Sequence, residues 1–312
     1  NIPETIIAML AAASVGAIWS SCSPDFGIKG VLDRFSQIEP KIIITASDYI
    51  YNGKTINCLS KIKDILSDLP SIEKTIIVPF KGSANSIMIN NSIAWDDFLA
   101  AEESDIIFEY MPFDHPLYIM YSSGTTGLPK SIVHSSGGTL IQHLKELMLH
   151  TDLTREDKIF YFTTCGWMMW NWLVSSLAIG AKIILYDGSP FYPNGTTLLE
   201  MAEKLGITVF GTSAKYISAL EMEKIVPKDI STFPELRCIL STGSPLVEEN
   251  YDYIYNKWKK DIQLCSISGG TDIISCFALG NPMLSIKRGE LQCRGLGMKV
   301  ESYSKGGDSF YD

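Results

Sequence analysis

Between Tyr121 and Lys130 the chain reads Tyr-Ser-Ser-Gly-Thr-Thr-Gly-Leu-Pro-Lys. The hydroxyls of Ser122, Ser123, Thr125 and Thr126, the glycines Gly124 and Gly127, and the ammonium of Lys130 together have the makings of a phosphate grip. Glycines let backbone N–H groups approach an anion, hydroxyls add donors, and the lysine adds a point charge. The apolar run Leu117–Met120 leads into the segment, so the grip falls at the end of a strand. Taken alone it could equally be a surface turn between a strand and a helix. A P-loop kinase or ATPase is the other class it suggests, but that motif needs Gly-Lys-Ser/Thr in direct succession. Here Leu128-Pro129 separates Gly127 from Lys130, and a proline at that point disturbs the helix start that a P-loop requires.

Other turns follow apolar runs in the same manner. Thr242-Gly243-Ser244-Pro245 follows Leu236–Ser241, and alone it reads as a strand-to-helix turn. Ser268-Gly269-Gly270-Thr271-Asp272 follows Ile262–Ile267, and Thr-Asp there would serve as a helix cap. Thr163–Trp172 is dense in tryptophan and methionine, a composition that usually belongs to a core. Gly211-Thr212-Ser213-Ala214-Lys215 ends another run, and a lysine in such a place is ordinarily solvated.

The elements that must position these turns alternate. β-Branched runs recur at Lys41–Thr45, Thr75–Pro79, Leu117–Tyr121, Lys158–Thr164, Ala181–Asp187, Ile207–Thr212 and Leu236–Thr242. Helical stretches are expected at 136–150, 197–205 and 246–259, with Gly206 ending the second. Buried strands alternating with helices predict an α/β fold with mostly parallel sheets and ligands at the strands' carboxyl ends. A polar connection over 81–116 suggests one α/β subdomain over 1–112 and a second over 113–287. Strand-like pieces at Gly289–Arg294 and Met298–Tyr303, with a turn at Lys305–Asp308, mark the start of a β-rich subdomain over 288–312.

The chain has 312 residues, 46% of them hydrophobic and 20% charged, enough for about two globular domains. A net charge of −9 gives no broad basic face for nucleic acid. The seven cysteines are scattered, with no Cys-x-x-Cys pair, and read as reduced thiols of a cytosolic protein without a zinc site. The apolar run Thr5–Trp19 is too short to span a membrane and follows no basic segment, so a buried helix starting near Pro3 is expected. No obligate protein partner is inferred. His134 and His143 are placed in or near the helix after the loop, without a catalytic role.

With those residues in place, the chain resembles the adenylate-forming enzymes, the superfamily of acyl-CoA synthetases, luciferases and peptide-synthetase adenylation domains. The resemblance runs from Asn1 to about Tyr303. It implies two Rossmann-like parallel-sheet subdomains and the start of a small β-barrel. It also implies that Ser122–Lys130 closes on the β- and γ-phosphates of ATP, and that Gly243, Ser244 and Pro245 lie against adenine. Thr271 faces the nucleotide's α-phosphate by the same likeness, Gly270 is carried over as a nucleotide-binding residue beside it, and Asp272 holds Mg²⁺, for which one carboxylate beside ATP phosphates suffices. This sequence departs from the common pattern in having Ser244 and Asp272 where many relatives carry glutamate. Trp167, Met168, Met169, Thr242, Gly269 and Lys215 are carried over to the acyl pocket, and Lys54 to the nucleotide end of coenzyme A.

Within that superfamily, 166–172 and 266–277 resemble the members that activate acetoacetate. Acetate-specific relatives fill the position of Gly269 with tryptophan, so glycine implies room for four carbons. Lys130, Thr271 and Asp272 are thus the expected catalytic groups. Acetate, a medium-chain acid, or a catalytically silent nucleotide-binding module remain the alternatives. The family's mobile lid and its lysine are expected beyond Asp312, so that residues 1–312 alone should turn over weakly or not at all.

Overall fold

The structure is a computed structural model and describes residues 1–80, 89–99, 105–122 and 127–310. The chain divides into two compact units. The first comprises 1–138, 164–167 and 185–193, and the second 139–163, 168–184 and 194–312.

In the first unit the elements run α1 (Pro3–Ser14), β1 (Trp19–Ser20), α2 (Ile28–Phe35), β2 (Ile42–Ala46), β3 (Asp48–Tyr51), β4 (Lys54–Asn57) and α3 (Leu59–Asp68). Next come β5 (Lys74–Val78), β6 (Ser92–Ala94), α4 (Trp95–Phe98), β7 (Pro116–Ser122) and β8 (Lys130–Ser135). Strands β2, β5 and β6 form a parallel sheet, with Ile44 opposite Ile76 and Ile76 opposite Ile93. Val31 and Phe35 of α2 and Leu59, Ile62 and Ile65 of α3 pack against Ile43 of that sheet, the 3.6-residue spacing putting each helix's apolar residues on one face. Helix α1 begins with Pro3 in its first turn, but it is less buried than expected. Ile6, Ala8 and Met9 are covered, while Ile7 and Leu10 face outward. A helix packed on one side can bury only one stripe of an all-apolar sequence.

The second unit holds most of α5 (Ser136–Lys145), a π-helical turn Glu146–His150, β9 (Lys158–Tyr161), α6 (Met168–Ser175), β10 (Lys182–Ile184) and α7 (Thr197–Leu205). It continues with β11 (Val209–Ser213), α8 (Ala214–Met222), β12 (Cys238–Thr242), α9 (Glu248–Tyr253) with a π turn Ile254–Trp258, and β13 (Gln263–Ser266). The five strands pair in parallel in the order β10-β9-β11-β12-β13. Ile159, Phe160, Val209, Phe210, Cys238, Ile239, Leu240, Leu264 and Cys265 are buried with almost no exposure. That is why these strands read as continuous apolar runs. Phe210 sits among Phe160 at 5.1 Å, Trp258 at 5.6 Å and Tyr216 at 6.3 Å between ring centres.

Beyond β13 the chain turns antiparallel, with β14 (Ser268–Gly270), β15 (Ser275–Leu279) and β16 (Cys293–Arg294) in one sheet and β17 (Ser302–Tyr303) with β18 (Ser309–Phe310) in another. The strands expected at 289–294 and 298–303 shrink to two residues each. The turn expected at Lys305–Asp308 does close a hairpin, where Ser304 N donates to Asp308 O at 2.8 Å. Among the described residues no helix is long and apolar enough to cross a membrane. All seven cysteines are free thiols, and burial pushes Cys22 up to about 12 and Cys58 and Cys165 up to about 11.

Candidate functional site

In the five-stranded sheet, β9 runs to β10 on one side, and the chain then crosses back to β11 on the other. Where the strand order reverses, the loops after neighbouring strands lead away from each other and leave a crevice at the carboxyl ends. The turns singled out in this unit all leave from that edge. Ser213 pairs with Thr242 across β11 and β12, Thr242 Oγ1 donates to Ile267 O at 3.0 Å, and Ile267 N donates to Ser241 O at 2.8 Å. Phe162 N donates to Gly211 O at 2.9 Å. Ser213–Lys215, Thr242–Pro245 and Ile267–Asp272 therefore emerge side by side.

Each turn has a local cause. Ser213 caps α8, its Oγ accepting from Tyr216 N at 3.2 Å, which leaves Lys215 exposed in the first turn of that helix. Gly243 has φ +90°, a conformation that favours glycine, and it lies exposed with Ser244 and Pro245. Met168 and Met169 open α6 and are buried, whereas Trp167 is 60% exposed and belongs to the first unit. Trp170 and Trp172 are wholly buried packing residues.

Thr271 and Asp272 stand on the turn from β14 to β15, Thr271 half-buried and Asp272 exposed. The helix-cap reading of Thr-Asp therefore falls, because an antiparallel strand follows the turn and not a helix. Gly269 has a cause of its own. A Cβ at that position would overlap the Ser275 carbonyl oxygen and lie 3.0 Å from Cys276 Cα, so the β14–β15 hairpin itself demands glycine there. Gly270, by contrast, faces open space. Among the described residues no group of three or more His, Cys, Asp or Glu gathers as a metal cluster. A divalent ion here would rest on fewer than three such side chains, with waters and substrate phosphates completing its shell, which suits Mg²⁺.

Ser123, Gly124, Thr125 and Thr126 lie outside the described residues. Their flanks are in the first unit, where Ser122 ends β7 and pairs with Lys130, the first residue of β8. The two strands are antiparallel, and the strand–loop–helix arrangement of a P-loop is absent, so that alternative is dropped. Lys130 and Gly127 are exposed. Gln37 braces the returning strand, donating to Pro129 O at 2.8 Å and accepting from Ser131 Oγ at 2.9 Å. Lys54 is exposed beside the Asn52–Gly53 turn of the β3–β4 hairpin.

Sequence reasoning missed the residues behind the Thr271–Asp272 turn. His143 of α5 is fully buried, with Nε2 donating to Ile274 O at 2.9 Å. Glu146 is equally buried beside Ser275 and Cys276. The only signal in the sequence was polar side chains within an otherwise apolar helical face.

An AMP-binding enzyme family model matches residues 1–289. An acetoacetyl-CoA synthetase of Gallus gallus is 51% identical over 98% of this chain and 47% of its own length. A malonamoyl-CoA synthetase of Penicillium aethiopicum is 42% identical over 98% of this chain and 46% of its own. The structure of an acetoacetyl-CoA synthetase from Streptomyces lividans superposes with a TM-score of 0.93 at 42% identity, covering 100% of this chain and 48% of that one. The chain spans about half the length of the relatives it matches. With the family model covering most of its residues, the chain belongs to the AMP-binding enzymes.

Proposed function

We propose that this chain carries the nucleotide and acyl sites of an ATP-dependent acid–thiol ligase that joins acetoacetate to coenzyme A. The observation that carries the reading is the adjacency of the Thr242–Pro245 and Ile267–Asp272 turns at the carboxyl edge of the parallel sheet. The exposed Gly243–Pro245 turn receives adenine. Thr271 supplies a hydroxyl to the α-phosphate, and Asp272 holds Mg²⁺, which neutralises phosphate charge when bound. Ser122, the 123–127 segment and Lys130 are a phosphate-binding segment of the first unit, and Met168, Met169, Thr242 and Lys215 of the second border the acyl group.

A carboxylate is a poor acyl donor because it has no leaving group. Attack of one acetoacetate oxygen on the α-phosphorus breaks the bond to pyrophosphate and gives a mixed anhydride. The coenzyme A thiol, losing its proton, then attacks the acyl carbon and expels AMP. The residues' contribution is placement and charge stabilisation, through donors fixed before the reaction begins.

The two kinds of relative narrow the substrate. Acetoacetyl and malonamoyl groups have the same heavy-atom shape, a methyl in one standing where an amino group stands in the other, and both carry a carbonyl on the third carbon. Short 3-oxo acids are therefore the expected class. ATP–pyrophosphate exchange by the complete enzyme with acetoacetate, malonamate, butyrate and acetate tests this. A preference for the first two over butyrate is expected, and equal rates with butyrate or a preference for acetate would overturn the substrate assignment.

A further inference from the structure

The turn that bears Thr271 and Asp272 is fixed from behind at three successive residues. At Ile274, the carbonyl accepts from His143 Nε2 at 2.9 Å, while His143 Nδ1 lies 2.8 Å from Ser175 Oγ. At Ser275, the hydroxyl donates to Glu146 Oε1 at 2.5 Å and also meets Gln142 Nε2. At Cys276, the backbone N–H donates to the same Oε1 at 2.9 Å. Gln142 Nε2 adds a third donor to Oε1 at 3.0 Å, and Trp172 Nε1 supplies Oε2 at 3.0 Å. Glu146 thus accepts at both oxygens with no exposure to water.

Two features set this apart from ordinary packing. Ile274 is 4% exposed and has φ +47°. A β-branched residue in the left-handed region is strained, and such strain persists where the surroundings over-determine it, most often at working sites. Glu146 also opens a π-helical turn, an irregularity that aims a side chain off the regular helical path and recurs at functional sites. A hairpin needing stability alone would take Gly or Asn at Ile274 and an apolar residue at Glu146.

We propose that His143 and Glu146 are positioning residues, acting through Ile274, Ser275 and Cys276 to hold Thr271 and Asp272 in register for a magnesium-bound nucleotide phosphate. This rests on the reading of Asp272 as the metal-binding carboxylate. Calorimetric titration of the chain with ATP, with and without Mg²⁺, and with AMP alone, tests both parts. In Glu146→Gln and His143→Leu the magnesium-dependent gain in ATP affinity should fall at least about fivefold, while AMP affinity stays within about twofold. His143→Gln, which keeps an N–H donor, should restore part of the gain.

If Asp272→Ala leaves the gain intact, or the wild-type chain shows no gain, the metal reading fails and takes the positioning role with it. If Asp272→Ala abolishes the gain but Glu146→Gln and His143→Leu only lower the melting temperature, the positioning role alone is overturned. Should Glu146→Gln fail to fold, Ser275→Ala, which deletes one donor to that carboxylate, decides the matter by the same comparison.

Discussion

Arg237 grips Asp157 with two hydrogen bonds, Nε to Oδ1 at 2.9 Å and Nη2 to Oδ2 at 2.8 Å. The pair sits at the amino ends of β9 and β12, and Arg237 also reaches the carbonyls of Thr151 and Asp152. Burial pushes the Asp157 carboxyl up, but hydrogen bonds from Arg237, Thr208 and Thr154 outweigh it and hold the group at about 2, below its ordinary 3.8. A depressed folded value means stability that is present above the unfolded value and lost on acidification. We expect about 2 kcal/mol of stability to disappear between pH 4 and pH 2 for this group. Urea denaturation across that range should show it, and in Asp157→Asn the acid-side slope should flatten accordingly.

Gly269 and Gly270 form a matched pair for testing what a glycine is for. Gly269→Ala drives a methyl into the Ser275 carbonyl and should cost about 1–3 kcal/mol in urea denaturation. Gly270→Ala meets nothing and should stay within about 0.5 kcal/mol. If Gly269→Ala proves neutral, the hairpin does not require glycine, and pocket volume becomes the better explanation for it.

Lys130 is exposed at the start of β8, so its removal should spare the fold. Lys130→Ala is expected to weaken ATP binding about tenfold, the loss of one charge-assisted contact. Its melting temperature should stay at the wild-type value. An unchanged affinity would dissociate this lysine from the nucleotide.

Phe210 lies at the centre of the aromatic cluster in the parallel sheet, with no exposure. Truncating it to alanine should cost about 3–5 kcal/mol by equilibrium unfolding, because the sheet cannot collapse onto the space left behind.

The parallel sheet was legible because strands covered on both faces leave long apolar runs, and helix α7 because Gly206 stops it at the expected residue. The carboxyl-edge turns were legible for the same reason, since each follows such a run. Three things were hidden. The antiparallel partner of β14 could not be read, because Ser268–Gly270 and Ser275–Leu279 show no period-2 alternation around the Thr-Asp turn. The requirement for Gly269 arises from a backbone six residues away, at the Ser275 carbonyl. The role of Glu146 was hidden, because a sequence does not tell that Ser275, Cys276 and Trp172 will converge on it.

Tyr161 rests its ring where Gly211 has no side chain, and edge-on to Trp172 at 6.3 Å. That arrangement makes one residue a removable plug in the floor of the sheet. Trimming Tyr161 to alanine while keeping Gly211 would open an aromatic-sided hollow and free the Thr212 carbonyl, which the Tyr161 hydroxyl now meets at 3.4 Å, so the space would hold water or a small guest with one polar atom. The protein would then gain stability from such a guest, at a place that the buried Tyr161 ring now fills.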